Sequence, residues 1–326
     1  MTATLQTTMI DGLHALTIET PALTLVVLPE LGAKVISLYW KASGHEFLWR
    51  HPGRPWQRPI YGAAYDHYDL SGWDECFPTI GPVVYPAEPW QGIAVPDHGE
   101  LWSLPWAWEF SDNRLRMWVH SVRFAYTFQR AFHFTETGAI QITYCVTNPT
   151  PFALQALWSM HPFFNVTPTS RVLLPEGVRV RVEISQDNRI GGFLSEHPWP
   201  LVVDQAGNTV DLSLMGPPQP FVEKLFSTAL PAGWSALYDE TDEHFLAFTF
   251  DPASIPFMGV CQLRGGWPTD VPSYSTILEP CNGWPDRLDL AMSRGASIAI
   301  PAKGERQWQV TLHIGQGQRA LAAILQ

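Results

Sequence analysis

The feature of this sequence that most limits its fold is a two-residue alternation of apolar and polar side chains. A period of two is what a β-strand with one buried face requires. The chain also contains 29 prolines, which interrupt helices, so long helices are not expected. Segments with the alternation or with many β-branched residues are His14–Thr20, Leu23–Leu28, Lys34–Trp40, Arg114–Val122, Ala125–Phe134, Ala139–Thr147, Ala153–Ser159, Val178–Ile184, His244–Phe250, Ser297–Pro301 and Gln307–Ile314.

Helical patterns are confined to two short segments, Leu290–Arg294 and Ala320–Leu325. Many strands with few helices at this length predict an all-β fold, a large antiparallel sandwich or barrel. Composition does not shift sharply anywhere along the chain, and the proline-rich segment Met215–Pro220 is explained as a loop between strands. We therefore expect a single domain over residues 1–326.

Charge and composition limit the partners of this chain. Its net charge is −11 and it has no run rich in lysine or arginine, so neither a nucleic acid nor an anionic membrane is an expected partner. The first six residues lack the basic and apolar regions of a secretion signal, and no apolar run approaches the roughly 20 residues that span a bilayer. The four cysteines form no Cys-x-x-Cys pair. A cytoplasmic protein with reduced thiols is expected.

Tryptophan is unusually frequent, with 15 residues, and several lie among Pro, Gly, Asp and His. An indole offers a flat apolar face with an N–H at its edge, which suits the apolar C–H faces and the hydroxyls of a sugar. The segment from Arg50 to Pro89 has almost no strand pattern and is rich in aromatic residues, proline and acids. Long irregular segments in compact domains are commonly functional, so we expect it to form one wall of a binding site.

Groups able to move a proton at neutral pH occur in three short motifs. His98 follows Asp97 in an apparent turn, His161 lies between a strand-like run and Pro162, and Glu279 ends an apolar run. An imidazole has an ordinary pKa near 6.5, and burial raises the pKa of a carboxyl toward neutrality. A fourth motif, Asp69–Pro78, contains the adjacent acids Asp74 and Glu75, of which only one can face a given pocket if the chain is extended there.

These motifs, in this order, resemble the galactose mutarotase-like superfamily, the aldose 1-epimerases and their relatives. The similarity is greatest to the divergent branch that has an Asp-Glu-Cys-Phe-Pro segment, and it extends over nearly the whole chain. The matching segments are Leu28–Val35, Asp74–Pro78, Asp97–Trp102, Trp158–Asn165 and Leu278–Pro280.

The resemblance implies a β-supersandwich with a sugar cleft and an isomerase that interconverts the α and β anomers of an aldose. In that reading Glu279 is the general base, His161 the general acid, and His98 lies near the ring oxygen. The reaction removes a proton from the anomeric hydroxyl and donates one to the ring oxygen, so no cofactor and no metal are expected. The residues expected to bind the sugar are His98, Asp74, Glu75, Trp73, Trp158 and Trp284.

Other readings remain open from the sequence. The acidic pair Asp74-Glu75 stands where galactose mutarotases have Asn-Arg, which changes the pocket from hydrogen-bond donor to acceptor. A hexose-6-phosphate 1-epimerase would need converging basic groups. The arginines available for that are Arg50, Arg54, Arg58, Arg123, Arg264 and Arg287. A non-catalytic carbohydrate-binding protein, a zinc enzyme using both histidines and Glu279, and a glycosidase using Glu75 and Glu279 are the further alternatives. The sequence does not indicate an oligomeric state.

Overall fold

The computed structural model describes residues 2–326, and within them nearly all regular structure is β-strand. In chain order the strands are β1 (Thr4–Ile10), β2 (Leu13–Glu19), β3 (Leu23–Leu28), β4 (Lys34–Trp40), β5 (His45–Glu46), β6 (Trp73–Cys76), β7 (Val83–Val84), β8 (Ala94–Val95), β9 (Ala107–Ser111), β10 (Arg114–His120), β11 (Thr127–Phe134), β12 (Ile140–Asn148), β13 (Leu154–Ala156), β14 (Ser159–Phe164), β15 (Ser170–Leu173), β16 (Arg179–Ser185), β17 (Glu196–Pro198), β18 (Leu201–Val203), β19 (Thr209–Asp211), β20 (Val222–Ser227), β21 (Trp234–Asp239), β22 (His244–Phe250), β23 (Phe257–Arg264), β24 (Tyr274–Cys281), β25 (Ile298–Ile300) and β26 (Gly304–Gln316).

Two short α-helices accompany the strands, α1 (Leu288–Ser293) and α2 (Gln318–Ile324), and both overlap the segments with a helical pattern. Single turns of 3₁₀-helix cover Tyr65–His67, Leu101–Ser103 and Gln186–Asn188. No helix within residues 2–326 combines the length and the apolar character needed to cross a lipid bilayer.

Two large antiparallel sheets form the body of the fold. One has 12 strands, in the order β1-β2-β3-β4-β6-β14-β24-β23-β20-β16-β17 with β5 paired to β4. The other has eight strands, in the order β15-β21-β22-β26-β12-β11-β10-β9. The all-β prediction is therefore confirmed, and several predicted segments, for example Leu23–Leu28 and His244–Phe250, coincide with strands.

The two sheets pack over a shared apolar core. Trp73 of β6 contacts Phe132 of β11 edge-on, with ring centroids 5.8 Å apart, and Phe164 of β14 lies 6.2 Å from Phe248 of β22. All four rings are buried, and burial of a side chain of this size contributes about 1.5–3 kcal/mol each. The alternation that predicted the strands thus places one face of each sheet in this core and leaves the opposite face of the 12-stranded sheet available for a site.

Candidate active site

Adjacent strands at the centre of the 12-stranded sheet direct their polar side chains to the face that lies away from the core. In the register of the sheet His161 of β14 lies beside Asp74 of β6, and Glu279 of β24 lies beside Gly259 of β23. Strand β24 pairs with β14 on its other side. Because side chains alternate between faces along a strand, residues of distant sequence position meet on one surface here.

A cleft of about 480 Å³ opens on this surface, and His98, His161 and Glu279 all contribute to its lining. Lys224, from β20, lines it as well. Much of the remaining wall is apolar or aromatic and is formed by Tyr65, Phe163, Ile184, Val222, Trp267 and Ile277. The cleft therefore combines a cluster of proton-moving groups with apolar surface, which is the usual make-up of a small-molecule site.

His98 is held from two sides. Its Nδ1 lies 2.9 Å from Asp97 Oδ1, and the ring of Tyr65 stacks on the imidazole with centroids 3.9 Å apart. Burial opposes ionisation of Asp97, but the hydrogen bond and the charge of His98 outweigh it and lower the pKa of that carboxyl. The Asp97 carboxylate therefore orients the His98 ring through Nδ1 and leaves Nε2 as the nitrogen free to contact a ligand.

His161 is fully buried beside His98, with the two ring centroids 4.9 Å apart. Burial lowers the pKa of His161 well below its usual value, and the positive charges of His98 and Lys224 lower it further. Burial and neighbouring charge thus favour the neutral form of the His161 imidazole.

Glu279 is buried and contacts one neutral and one positively charged group. Ser159 donates a hydrogen bond of 3.1 Å to Oε2, and the Lys224 ammonium lies 3.4 Å from Oε1. Lys224 also lies 2.7 Å from Asp286. Burial raises the pKa of Glu279, while the charge of Lys224 acts in the opposite direction. A carboxylate whose pKa lies closer to neutrality is a stronger base than an exposed one.

Acidic groups surround Lys224 on more than one side. Burial, followed by the charge of Asp286, raises the pKa of the neighbouring carboxyl Glu183 to about 8. Burial alone would lower the pKa of Lys224, but the charges of Asp286 and Glu279 raise it well above its ordinary value. Lys224 is thus a permanent cation in the lining of the cleft, and Asp286 and Glu279 are the acids that pair with it.

Asp74 lies behind the histidines. Its Oδ2 accepts a hydrogen bond of 2.8 Å from Tyr65 and is 2.9 Å from the Lys34 ammonium, which also bonds Asp69. The Tyr65 hydroxyl is in turn 3.5 Å from His161 Nδ1. Asp74 therefore acts on the cleft through Tyr65, and the structure gives it no place in the cleft lining.

Glu75, Trp73 and Trp158 do not lie at the cleft, contrary to the expectation that they contact a sugar. All three are buried on the core side of the sheet. Glu75 accepts a hydrogen bond of 2.8 Å from Trp158 Nε1 and pairs with Arg130 at 2.9 Å. The reason is the alternation within β6, which turns Asp74 toward the cleft face and Glu75 toward the core. This position also removes Glu75 as a partner of Glu279 in glycoside hydrolysis.

Trp284 does not line the cleft either. It is half-buried beneath the Arg181 guanidinium, which lies 4.3 Å from the ring centroid. The tryptophan that does line the cleft is Trp267, in the loop between β23 and β24. The irregular segment from Arg50 to Pro89 supplies Tyr65 and Asp66 to the wall, and Lys224 is a site residue that the sequence motifs did not reveal. Its strand, β20, reads Val-Glu-Lys-Leu-Phe-Ser, and the adjacent Glu223 and Lys224 give no sign that the lysine is buried.

The six arginines considered for a phosphate do not converge on the cleft within residues 2–326, since none belongs to its lining. Arg54 donates two hydrogen bonds of 3.0 Å to Asp270, and Arg58 pairs with Glu30. Arg123 donates to Tyr61 at 3.3 Å. Each of these guanidinium groups already has a partner on the surface of the fold.

Cys76, His98 and His161 are close enough to share a metal ion, with ligand atoms within 4.8 Å of one another. Burial and the nearby charge of Glu279 raise the pKa of the Cys76 thiol well above its usual value. A metal binds the thiolate and not the thiol, so ligation through Cys76 would require the loss of this proton.

Compared by sequence, the chain matches no protein-family model and no curated protein. Compared by structure, it is similar to the Slr1438 protein from Synechocystis sp. PCC 6803, with 16% identity, a TM-score of 0.72, and 94% of this chain and 98% of the other covered. A galactose mutarotase related enzyme from Lactobacillus acidophilus is 14% identical, with a TM-score of 0.65 and coverage of 93% and 97%.

A galactose mutarotase-like protein from Lactobacillus casei ATCC 334 is 17% identical, with a TM-score of 0.60 and coverage of 92% and 100%. At these identities the likeness establishes architecture and leaves the chemistry to be argued from the site itself. Together with the two antiparallel sheets, these neighbours show that this chain has the galactose mutarotase-like fold.

Proposed function

We propose that this protein is an isomerase of the aldose 1-epimerase type, which interconverts the α and β anomers of a free, unphosphorylated aldose. The observation that supports this most is the meeting of His98, His161 and Glu279 in one cleft, although they come from three distant segments. A protein related to galactose mutarotase shares the fold. Anomer interconversion needs one base and one acid on either side of a hemiacetal, and the cleft offers both kinds of group.

In the proposed reaction Glu279 accepts the proton of the anomeric hydroxyl. The histidine pair donates a proton to the ring oxygen as the C1–O5 bond breaks, which gives the open-chain aldehyde. Rotation about C1–C2 and ring closure on the other face return both protons, so the protein is unchanged and no other reactant is needed. Mutarotation of this kind requires only correctly placed acid and base groups.

The donated proton is assigned to His98 and His161 as a pair. The pKa of His161 lies well below its usual value because of burial and neighbouring positive charge, so His161 alone does not carry the proton at pH 7. His98 has the ionised Asp97 at 2.9 Å from its Nδ1. His98 is therefore the member of the pair to which we assign the donation of this proton. This differs from the role that the resemblance gave to His161, that of sole general acid.

The lining of the cleft favours an uncharged sugar as the substrate. Trp267 and the aliphatic wall suit the C–H faces of a pyranose, while Asp66 and Asp97 accept hydrogen bonds from hydroxyls. The cation in the cleft, Lys224, is paired with Glu279 and Asp286. A phosphate would have to compete with these carboxylates for it, which favours a neutral aldose over a hexose 6-phosphate.

The experiment that tests this proposal is two-dimensional exchange NMR of the purified protein with a panel of neutral aldoses, sugar acids and sugar phosphates. We expect exchange between α and β anomer signals to accelerate for at least one neutral aldose. Acceleration restricted to sugar phosphates would support the hexose-6-phosphate alternative. A panel with binding but no acceleration would support a carbohydrate-binding protein without catalysis.

A further inference from the structure

A second cluster of metal-ligating side chains lies outside the cleft and joins a strand of one large sheet to a strand of the other. His45 is the first residue of β5, which belongs to the 12-stranded sheet, and His244 is the first residue of β22 in the eight-stranded sheet. The two imidazole centroids are 4.7 Å apart. Asp242, in the turn before β22, completes a group whose ligand atoms lie within 4.8 Å of one another.

We infer that His45, Asp242 and His244 form a binding site for one divalent transition-metal ion of the zinc class. Two imidazoles and one carboxylate are a ligand set that such ions accept, with the remaining positions left to water. The ion would connect β5 of one sheet to β22 of the other. The site is independent of the proposed epimerase reaction, since none of the three residues lines the cleft.

The orientation of Asp242 supports ligation. The backbone N–H of His244 donates a hydrogen bond of 2.9 Å to Asp242 Oδ1, which fixes the carboxylate. The other oxygen, Oδ2, then lies 2.8 Å from His244 Nδ1. Two ligand atoms that share a tetrahedral zinc ion at about 2.1 Å are about 3.4 Å apart, so these two atoms need to separate by only about half an ångström to bind one ion.

The ring of His244 has a nitrogen without a hydrogen bond. Its Nδ1 is buried, and no group satisfies it with hydrogen-bond geometry, despite the proximity of Asp242. Trp40 contacts the His244 ring edge-on at 5.4 Å, and Phe47 contacts the His45 ring at 4.6 Å. The aromatic neighbours hold both imidazoles in place, and the free nitrogen is the kind of atom that a metal ion satisfies.

The available space also suits an ion. The three side chains line a pocket of about 70 Å³, enough for an ion and one or two waters at about 30 Å³ each. Asn165 and Thr167 also line this pocket, so groups other than the three ligands are present to contact the bound waters. Asp239 lies nearby as a further negative charge. Its carboxylate accepts hydrogen bonds from the hydroxyls of Thr167, Thr169 and Ser170.

The test is titration of the EDTA-treated, dialysed protein with Zn²⁺ by calorimetry, together with Co²⁺ absorption spectra and melting curves. We expect one ion per chain that raises Tm, and binding at least tenfold weaker in H45Q and in H244Q. The exposed imidazole of His120 supplies the matched control, and H120Q should bind as the wild type does. If H244Q does not fold, D242N replaces it with the same expected loss.

Co²⁺ distinguishes this site from the cluster at Cys76. Ligation by His45, Asp242 and His244 gives no thiolate-to-cobalt charge-transfer band, whereas ligation through Cys76 does. The inference is overturned if the wild type binds no Zn²⁺ at millimolar concentration, or if H45Q and H244Q bind it unchanged. It is equally overturned if the charge-transfer band appears and C76S, not H45Q, abolishes binding.

Discussion

Gly259 lies directly opposite Glu279 on the neighbouring strand, and a Cβ at position 259 would lie 3.0 Å from Glu279 Cβ and 3.1 Å from Oε2. Ordinary carbon contacts are longer, so any side chain at position 259 forces the carboxylate to move. The lack of a side chain at Gly259 therefore leaves room for the proposed base, Glu279, in its position in the cleft.

We predict that G259A slows anomer exchange roughly tenfold, because displacement of a catalytic group by a few tenths of an ångström lowers its efficiency. The free energy of unfolding should fall by about 1–3 kcal/mol, the usual cost of overpacking. G192A is the matched control, since a Cβ there meets only an ordinary contact of 3.7 Å to Asn188. Exchange rates of G259A equal to those of G192A would remove Gly259 from this role.

Removal of the Lys224 charge should shift the pH dependence of exchange. The Lys224 ammonium lowers the pKa of Glu279 against the effect of burial. In K224M the pKa of Glu279 rises, so the base becomes protonated at a higher pH. We expect the acidic limb of the rate profile to move to higher pH, as measured by exchange NMR between pH 4.5 and 8. An acidic limb that does not shift in K224M would contradict the pairing of Lys224 with Glu279. K41M, which removes a surface lysine, is the control and should leave the limb where it is in the wild type.

His161 should make stability depend on pH. Its folded pKa lies well below the ordinary value near 6.5, so below pH 6.5 the unfolded chain takes up a proton that the folded chain does not. Stability from this group is complete above pH 6.5 and falls as the pH decreases. We predict a loss of about 1.4 kcal/mol in free energy of unfolding between pH 7.5 and 5.5 that H161N lacks. Urea unfolding at both pH values measures it; identical losses in the two proteins would contradict the prediction.

Glu75 should matter for stability and not for exchange. It is a buried partner of Arg130 and of the Tyr144 hydroxyl, 3.0 Å away. E75Q leaves the Arg130 charge uncompensated, so we expect a loss of about 3 kcal/mol in free energy of unfolding with exchange retained by the folded protein. E109Q, which breaks the exposed pair with Arg116, should cost at most about 1 kcal/mol. Loss of exchange by folded E75Q would place Glu75 in the chemistry after all.

Strands such as β2, β3, β11 and β12 could be predicted from the sequence because one face of each is buried and the other is less so. Strands β20, β23 and β24 are buried almost along their whole length, so they have no alternation to detect. Lys224 and Gly259 lie on two of these strands and were therefore missed. Glu279 was found because a carboxylate at the end of an apolar run is conspicuous by itself.

The sequence also could not predict which of two adjacent side chains faces the cleft. The sequence indicated that only one of Asp74 and Glu75 could face a pocket, but the choice depends on partners remote in the chain. Lys34 lies on the cleft side and Arg130 on the core side, and each attracts one of the two acids. Tertiary contacts of this kind also set the pKa of His161, which no local pattern reveals.

The most direct test of the proposed chemistry compares exchange NMR rates of the wild type and E279Q on the aldose that the panel identifies. Glutamine keeps the size of the side chain and the hydrogen bond from Ser159 but cannot accept the anomeric proton. The account predicts a decrease of about 100-fold or more, with sugar binding retained, in line with the usual contribution of a general base. An E279Q protein that interconverts the anomers at the wild-type rate would contradict it.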